Sequence, residues 1–114
     1  MRHVVRWEEL ERRGPGSYTF DGQRFGASAC VLIGDGVPPG SGPRLHRHPY
    51  EEVFVVYDGT ATFTLGTETI EAGAHSVVIV PAHTPHKFVN SGRAPLYETS
   101  VHLSPQRITE WLEE

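Results

Sequence analysis

An all-β chain is what this sequence predicts, on three observations: short runs of strand formers recur at close intervals, turn residues separate them, and glycine and proline number 12 and 9 among 114 residues. Such frequent short strands build a sandwich or a small barrel. The strand signals are Ser17 to Phe20, Phe25 to Ile33, Arg44 to His48, Glu52 to Tyr57, Thr60 to Leu65, Glu68 to Glu71, Ser76 to Val80, His86 to Asn90 and Leu96 to Leu103. Their punctuation is Asp21-Gly22, Gly34-Asp35-Gly36, Asp58-Gly59, Gly66-Thr67 and Ser91-Gly92. Asp58-Gly59 is the clearest hairpin signal, and it predicts pairing of the Glu52 strand with the Thr60 strand. In the latter, Ala61, Phe63 and Leu65 alternate with Thr60, Thr62 and Thr64, giving one apolar and one semi-polar face. Glu52 to Tyr57 is instead apolar on both faces, the pattern of a strand covered on its outer side, and it points to a second subunit in a homodimer.

The two ends depart from the strand rhythm. Trp7 to Arg13 predicts a short helix stopped by Gly14-Pro15-Gly16, within an N-terminal arm of residues 1–16 that lies on a barrel of residues 17–103. At the other end Ser104 suits an N-cap and Pro105 the first helical position, and Ile108, Trp111 and Leu112 then fall on one helical face. A short C-terminal helix over residues 104–114, docked on the sheets, is the expectation.

Composition narrows the function classes. A formal charge of −4, with no run of Lys or Arg, argues against a nucleic-acid partner. The absence of a long apolar segment argues against a signal peptide or a membrane span, so a cytoplasmic protein without a membrane partner is expected. Cys30 is the single cysteine, which excludes an internal disulfide and a thiolate-rich zinc site. Its place between Ala29 and Val31 predicts a buried, inert thiol. A metal ion here would need nitrogen and oxygen ligands.

His46, His48, Glu52 and His86 supply such ligands. In an extended strand, side chains at i and i+2 share a face, which places His46 and His48 roughly 6.5 Å apart on one side. Both reach an ion about 2 Å from each ring nitrogen. Glu52 has the same parity, provided Pro49-Tyr50 only bends the chain, whereas His86 needs a folded sheet to deliver it. Three imidazoles and one carboxylate suit Fe, Mn, Ni, Co, Cu or Zn as a single divalent transition metal ion, with positions left for water or a small-molecule ligand or substrate. Tyr50, His83 and His102 are secondary candidates for proton transfer near the ion. Phe54, Val56, Phe63 and Phe88 are candidates for an apolar cavity lining, and Arg24, Arg44 and Arg47 for attraction of an anionic substrate.

The spacing from Gly40 through His46, His48 and Glu52 to Gly59 resembles the first motif of the cupin superfamily, position for position. Pro81, His86 and Asn90 resemble its second motif, so the chain is similar to a small single-domain cupin. Two positions depart from it: His83 stands where the second motif has a glycine two residues after the proline, and His75 replaces the glycine six residues before Pro81. The resemblance implies a double-stranded β-helix, or jelly-roll barrel, a metal held inside by His46, His48, Glu52 and His86, and frequent dimers. A metal-dependent enzyme acting on a small oxygen-bearing molecule follows as the functional expectation, with dioxygenase-type oxidoreductase chemistry placed ahead of isomerisation or decarboxylation. The alternative is a non-enzymatic module that binds or senses a small ligand.

Overall fold

The computed structural model describes residues 2–114. Eleven strands form two antiparallel sheets: β1 (Glu11–Gly14), β2 (Ser17–Phe20), β3 (Cys30–Val37), β4 (His46–Arg47), β5 (Glu52–Asp58), β6 (Ala61–Leu65), β7 (Glu68–Ala72), β8 (Ser76–Val80), β9 (His86–Asn90), β10 (Leu96–His102) and β11 (Glu110–Trp111). One sheet runs β1-β2-β3-β10-β5-β8 and the other β11-β4-β9-β6-β7. The expected double-stranded β-helix is present: from β3 to β11 the chain passes back and forth between the sheets, with only the β6–β7 hairpin staying in one. Strand signals from Glu52 to Val80 match the observed elements to within a residue.

The Asp58-Gly59 turn is not a hairpin. β5 pairs with β10 and β8, whereas β6 pairs with β7 and β9, so the turn carries the chain from one sheet to the other. Gly59 has φ 93°, and a Cβ there would stand 2.9 Å from the Pro95 carbonyl oxygen, so backbone crowding by the β9–β10 loop selects glycine. The hairpin lies one turn later, where Gly66-Thr67 joins β6 to β7 with Leu65 opposite Glu68.

Both ends also differ from expectation. Only Trp7–Glu9 coils, as a 3-10 turn, and Pro15-Gly16 makes a two-residue hairpin that brings β1 into the larger sheet opposite β2. The sheet therefore begins inside the segment assigned to the arm. Asp21 caps the brief helix α1 (Gly22–Phe25) by accepting from the Gln23 N–H, which delays β3 until Cys30 and carries it through Gly34-Asp35-Gly36. At the C-terminus there is no helix. A segment this short is marginal as an isolated helix, and the free edge of β4 offers a ladder instead: Glu110 pairs with Arg47, Trp111 with His46, and the Leu112 N–H donates to Leu45 O.

The faces of the larger sheet separate two tasks. Inward, the register aligns Cys30, His102, Glu52 and Val80 in one row, Leu32, Ser100, Phe54 and Val78 in the next, and Gly34, Glu98, Val56 and Ser76 in the third. Outward lie Phe20, Val31, Val101, Val53 and Ile79, beside Tyr18, Ile33, Thr99, Val55 and Val77. Trp7 packs on Tyr18 and Phe25 on Phe20, but Val77 and Ile79 at the far edge are 62% and 59% exposed. The core fills one end of the barrel, where Val56, Ala61, Val78, Val80 and Leu96 surround Phe54, Phe63 and Phe88, whose rings meet at 5.0 to 5.5 Å.

His75 and His83, which stand where the second motif carries glycines, both have left-handed backbones, at φ 67° and 66°. The turns thus keep the geometry a glycine would adopt. The Gly73 backbone is not the left-handed one, so that turn stays at His75. Left-handed φ costs an L-residue about 1–2 kcal/mol, partly offset by the lower entropy of its unfolded chain. Replacing exposed His75 by glycine should raise stability by up to about 1 kcal/mol in urea denaturation; a loss of stability would show that the imidazole makes a stabilising contact.

Candidate metal centre

Register delivers the site in two pairs. His102 stands opposite Glu52 in the larger sheet and His46 opposite His86 in the smaller one, so the two pairs face each other across the barrel interior. His48 follows β4 directly and completes the group. One ligand atom from each of His46, His48, Glu52 and His86 lies within 4.8 Å of the others, and all four residues are buried. The sequence-expected quartet converges.

Hydrogen bonds behind the rings show which nitrogens face inward. Nδ1 of His46 donates to Arg44 O at 2.6 Å, Nδ1 of His86 to Thr84 O at 2.8 Å, and Nδ1 of His48 to Ile108 O at 2.8 Å. A carbonyl only accepts, so in each neutral ring the proton sits on Nδ1 and the Nε2 lone pair is free. Nε2 of His86 and of His48 lie 3.0 and 3.3 Å from Glu52 Oε1, and Nε2 of His48 is buried without a hydrogen-bonding partner. Lone pair then faces lone pair. A cation between them removes that conflict, and carbonyl-tethered imidazoles of this kind are the usual support of metal ligands. The residues present therefore fit a divalent metal ion.

Titration points the same way. Burial drives His46 down to about 4, so its ring is neutral and free to coordinate at neutral pH. Burial pushes the Glu52 carboxyl up, but the imidazoles around it, His102 first, outweigh that and hold it below the ordinary carboxylate range. His102 Nε2 is 2.9 Å from Glu52 Oε2, and its Nδ1 is 2.7 Å from the Tyr50 hydroxyl. Tyr50 and His102 thus stand behind the carboxylate rather than beside the quartet's centre. Burial raises the Tyr50 phenol to about 12, so the hydroxyl stays protonated. His83 is exposed, and its contact with the site is through its backbone N–H, which donates to His48 O at 2.7 Å.

A cavity of about 370 Å³ opens beside the quartet. Phe54 and Phe88 line it as anticipated, whereas Val56 and Phe63 belong to the core. Arg24, Arg44 and Arg47 do not reach it: they lie over Phe25, over Trp111 and against Glu110. Groups that the strand pattern did not single out are Glu98, Ser100, Arg107, Thr109 and Trp111. Parity with His102 marks Glu98 and Ser100 as inward on β10, a signal available in the sequence once His102 is placed. Glu98 fits because Gly34 opposite it has no side chain: a Cβ there would stand 2.1 Å from Glu98 Oε2. Burial, helped by the negative charge of Glu52, lifts Glu98 to about 8. It is a neutral acid at neutral pH.

A barrel of two antiparallel sheets with a His/Glu cluster at one end defines the class of protein. The Cupin domain family matches residues 36–102, and the chain belongs to that family. Among solved structures it is similar to oxalate decarboxylase of Bacillus subtilis, with a TM-score of 0.80 and 24% identity over 95% of this chain and 31% of that one. One structure of that enzyme is described with Mn(II) centres. It is also similar to a conserved protein with a double-stranded β-helix domain from Klebsiella pneumoniae, with a TM-score of 0.74 and 19% identity over the whole of both chains. An uncharacterized protein of Streptomyces coelicolor is 46% identical over 41 residues, 36% of this chain and 39% of that protein. The chain thus spans about a third of the decarboxylase and two fifths of the Streptomyces protein. No helix among the described residues is long and apolar enough to cross a membrane.

The raised Glu98 gives a signed pH prediction for the metal-free protein. Folded Glu98 keeps a proton that the unfolded chain releases, so its contribution is fully present below about pH 4.5 and is lost as pH rises to about 8. Denaturation series across that window should show Glu98→Gln losing less stability toward alkaline pH than the wild type; parallel curves would show that Glu98 ionises normally.

Proposed function

We propose that this chain is a metal-dependent cupin enzyme, in which His46, His48, Glu52 and His86 hold one divalent ion and the adjoining cavity takes a small oxygen-bearing organic molecule, with dioxygenase-type oxidation as the leading chemistry. The observation that carries the reading is the convergence of three Nε2 lone pairs and a carboxylate on one point at a cavity wall. When bound, such an ion supplies a Lewis acid, and a redox centre if Fe, Mn, Co or Cu, with positions left for an oxygen ligand. His102 and Tyr50 orient the Glu52 carboxylate, Phe54 and Phe88 give the bound molecule an apolar wall, and Trp111 shields His46 from solvent at a ring separation of 5.1 Å.

Glu98 favours a second reading. A protonated carboxyl in the cavity can deliver a proton to carbon or oxygen, which suits decarboxylation or isomerisation. The fold shared with oxalate decarboxylase is compatible with this chemistry but does not select it. Anaerobic loading with Fe(II) or Mn(II), followed by a panel of phenols, diketones, thiols and carboxylic acids, separates the cases. Oxygen uptake supports oxidation; product without oxygen uptake supports proton transfer; saturable binding without turnover makes the chain a ligand-binding module and overturns the enzymatic reading.

Metal content is the more direct check. Purified protein should contain close to one equivalent of a transition metal by elemental analysis, and Glu52→Gln or His86→Ala should lose most of it. Occupancy should fall as pH drops through the histidine range, because a protonated imidazole cannot coordinate, and the melting temperature should fall with it. Full-length folded protein that takes up no metal at neutral pH would defeat the proposal.

The bare edge of the larger sheet supports the homodimer. The outer rows of β10, β5 and β8 present valine and isoleucine without a charged side chain among Val53, Val55, Val101, Val77 and Ile79, a face that a two-fold axis can pair with itself. Sedimentation should give a dimer that Val77→Lys combined with Ile79→Lys converts to a folded monomer. A wild-type monomer at all concentrations would refute the pairing.

A further inference from the structure

The C-terminal segment brings one group to the cavity that the metal reading leaves unused. Arg107 lines the cavity together with Ser100, His102 and three of the quartet, His46, His48 and Glu52, and its Nε is buried with no hydrogen-bond acceptor. No ion pair among the described residues includes it. That Nε–H has lost hydration without compensation in a half-buried side chain, and burial together with the like charge of Arg13 lowers its pKa. Arg13 faces the same cavity from β1, paired only loosely with Glu11 at 3.5 Å across an exposed surface.

The cavity's charges are out of balance. Its wall carries two guanidinium groups against the single Glu52 carboxylate, because Glu98, enclosed opposite Gly34, is protonated. A divalent ion on the quartet would widen the positive excess. An arginine fork presents paired N–H donors that match the two oxygens of a carboxylate, and Leu32, Phe54, Phe88 and Trp111 offer apolar contact for a carbon skeleton.

We infer that the cavity takes a small carboxylate, with its charged end seated on Arg107 and its other end turned toward His46, His48, Glu52 and His86. This rests on the reading of the cavity as a ligand site, and it names the ligand's chemical class. Arg107 lies beside Ile108, whose carbonyl oxygen holds the His48 ring, so the anion seat and the ligand quartet are carried by adjoining residues of one segment.

Calorimetry on metal-free and Mn(II)-loaded protein, with acetate, malonate and benzoate, their uncharged amides, and inorganic phosphate, tests the inference. At least one carboxylate should bind ~10-fold or more tightly than its amide, and Arg107→Gln should remove that preference while leaving Mn(II) content unchanged. Arg107→Lys, which keeps the charge without the fork, should retain an intermediate preference and serves as the test if the glutamine variant does not fold. Equal affinity for acids and amides, tighter binding of phosphate, no binding of any carboxylate, or an acid preference that survives Arg107→Gln would overturn the assignment. If Mn(II) does not load but metal-free protein still binds a carboxylate through Arg107, the metal reading fails and this one stands; if Mn(II) loads and the acid preference is missing, the reverse holds.

Discussion

Everything at the open end of this barrel follows from one electrostatic constraint: three imidazole lone pairs and a carboxylate oxygen meet within 4.8 Å of one another on buried side chains. With Nδ1 of His46, His48 and His86 committed to carbonyl oxygens, the inward nitrogens cannot relieve the crowding by donating to Glu52. Protonating His46 is opposed by its burial. A cation is the remaining solution, and a transition metal has the charge and ligand preference to provide it. The carbonyls are thus as much a part of the centre as the rings, and those of Arg44 and Thr84 each lie two residues before the ring they hold.

The third carbonyl explains why the chain's end is a strap and not a helix. Ile108 O holds His48, the Ile108 N–H reaches the Tyr50 hydroxyl, and β11 pairs with β4 over His46 and Arg47. A helix over residues 104–114 would turn the Ile108 carbonyl into its own hydrogen-bond ladder and release His48. The surface pairs Arg47–Glu110 and Lys87–Glu113 hold the strap only weakly at such exposure, so its hold comes mainly from the shared backbone ladder. This segment couples the far end of the sequence to the ligand sphere.

The parts of this arrangement that the sequence makes legible are those set by local period. Runs of strand formers between turn residues placed β5 to β9, and even spacing placed His46, His48 and Glu52 on one face. The motif resemblance supplied His86, which no local rule could. Less accessible was whatever depended on tertiary partners. Asp58-Gly59 has hairpin chemistry, yet the chain crosses from sheet to sheet there, packed closely against Pro95 and Leu96 from far along the sequence. Ile108, Trp111 and Leu112 have helical spacing, but an unpaired strand edge outcompeted a short helix. Glu98 reads as a surface acid until β10 is given its register against Gly34.

Two carboxyl groups in one barrel end with opposite titration, and the difference is what gives the cavity a direction. Glu52 sits 2.9 Å from His102 Nε2 on β10, a contact that favours the charged form against burial, so it stays charged. Glu98, two rows along the same sheet, has a glycine opposite and no cation or donor to offset its burial, so it keeps its proton. One end of the cavity therefore holds fixed negative charge suited to a metal, and another offers an acidic hydrogen. With the unpaired guanidinium of Arg107 in the same wall, a bound molecule meets sites for an anion, a proton transfer and a metal within about 370 Å³. The two carboxyls can share that space because strand register, not mutual attraction, sets their separation along the sheet.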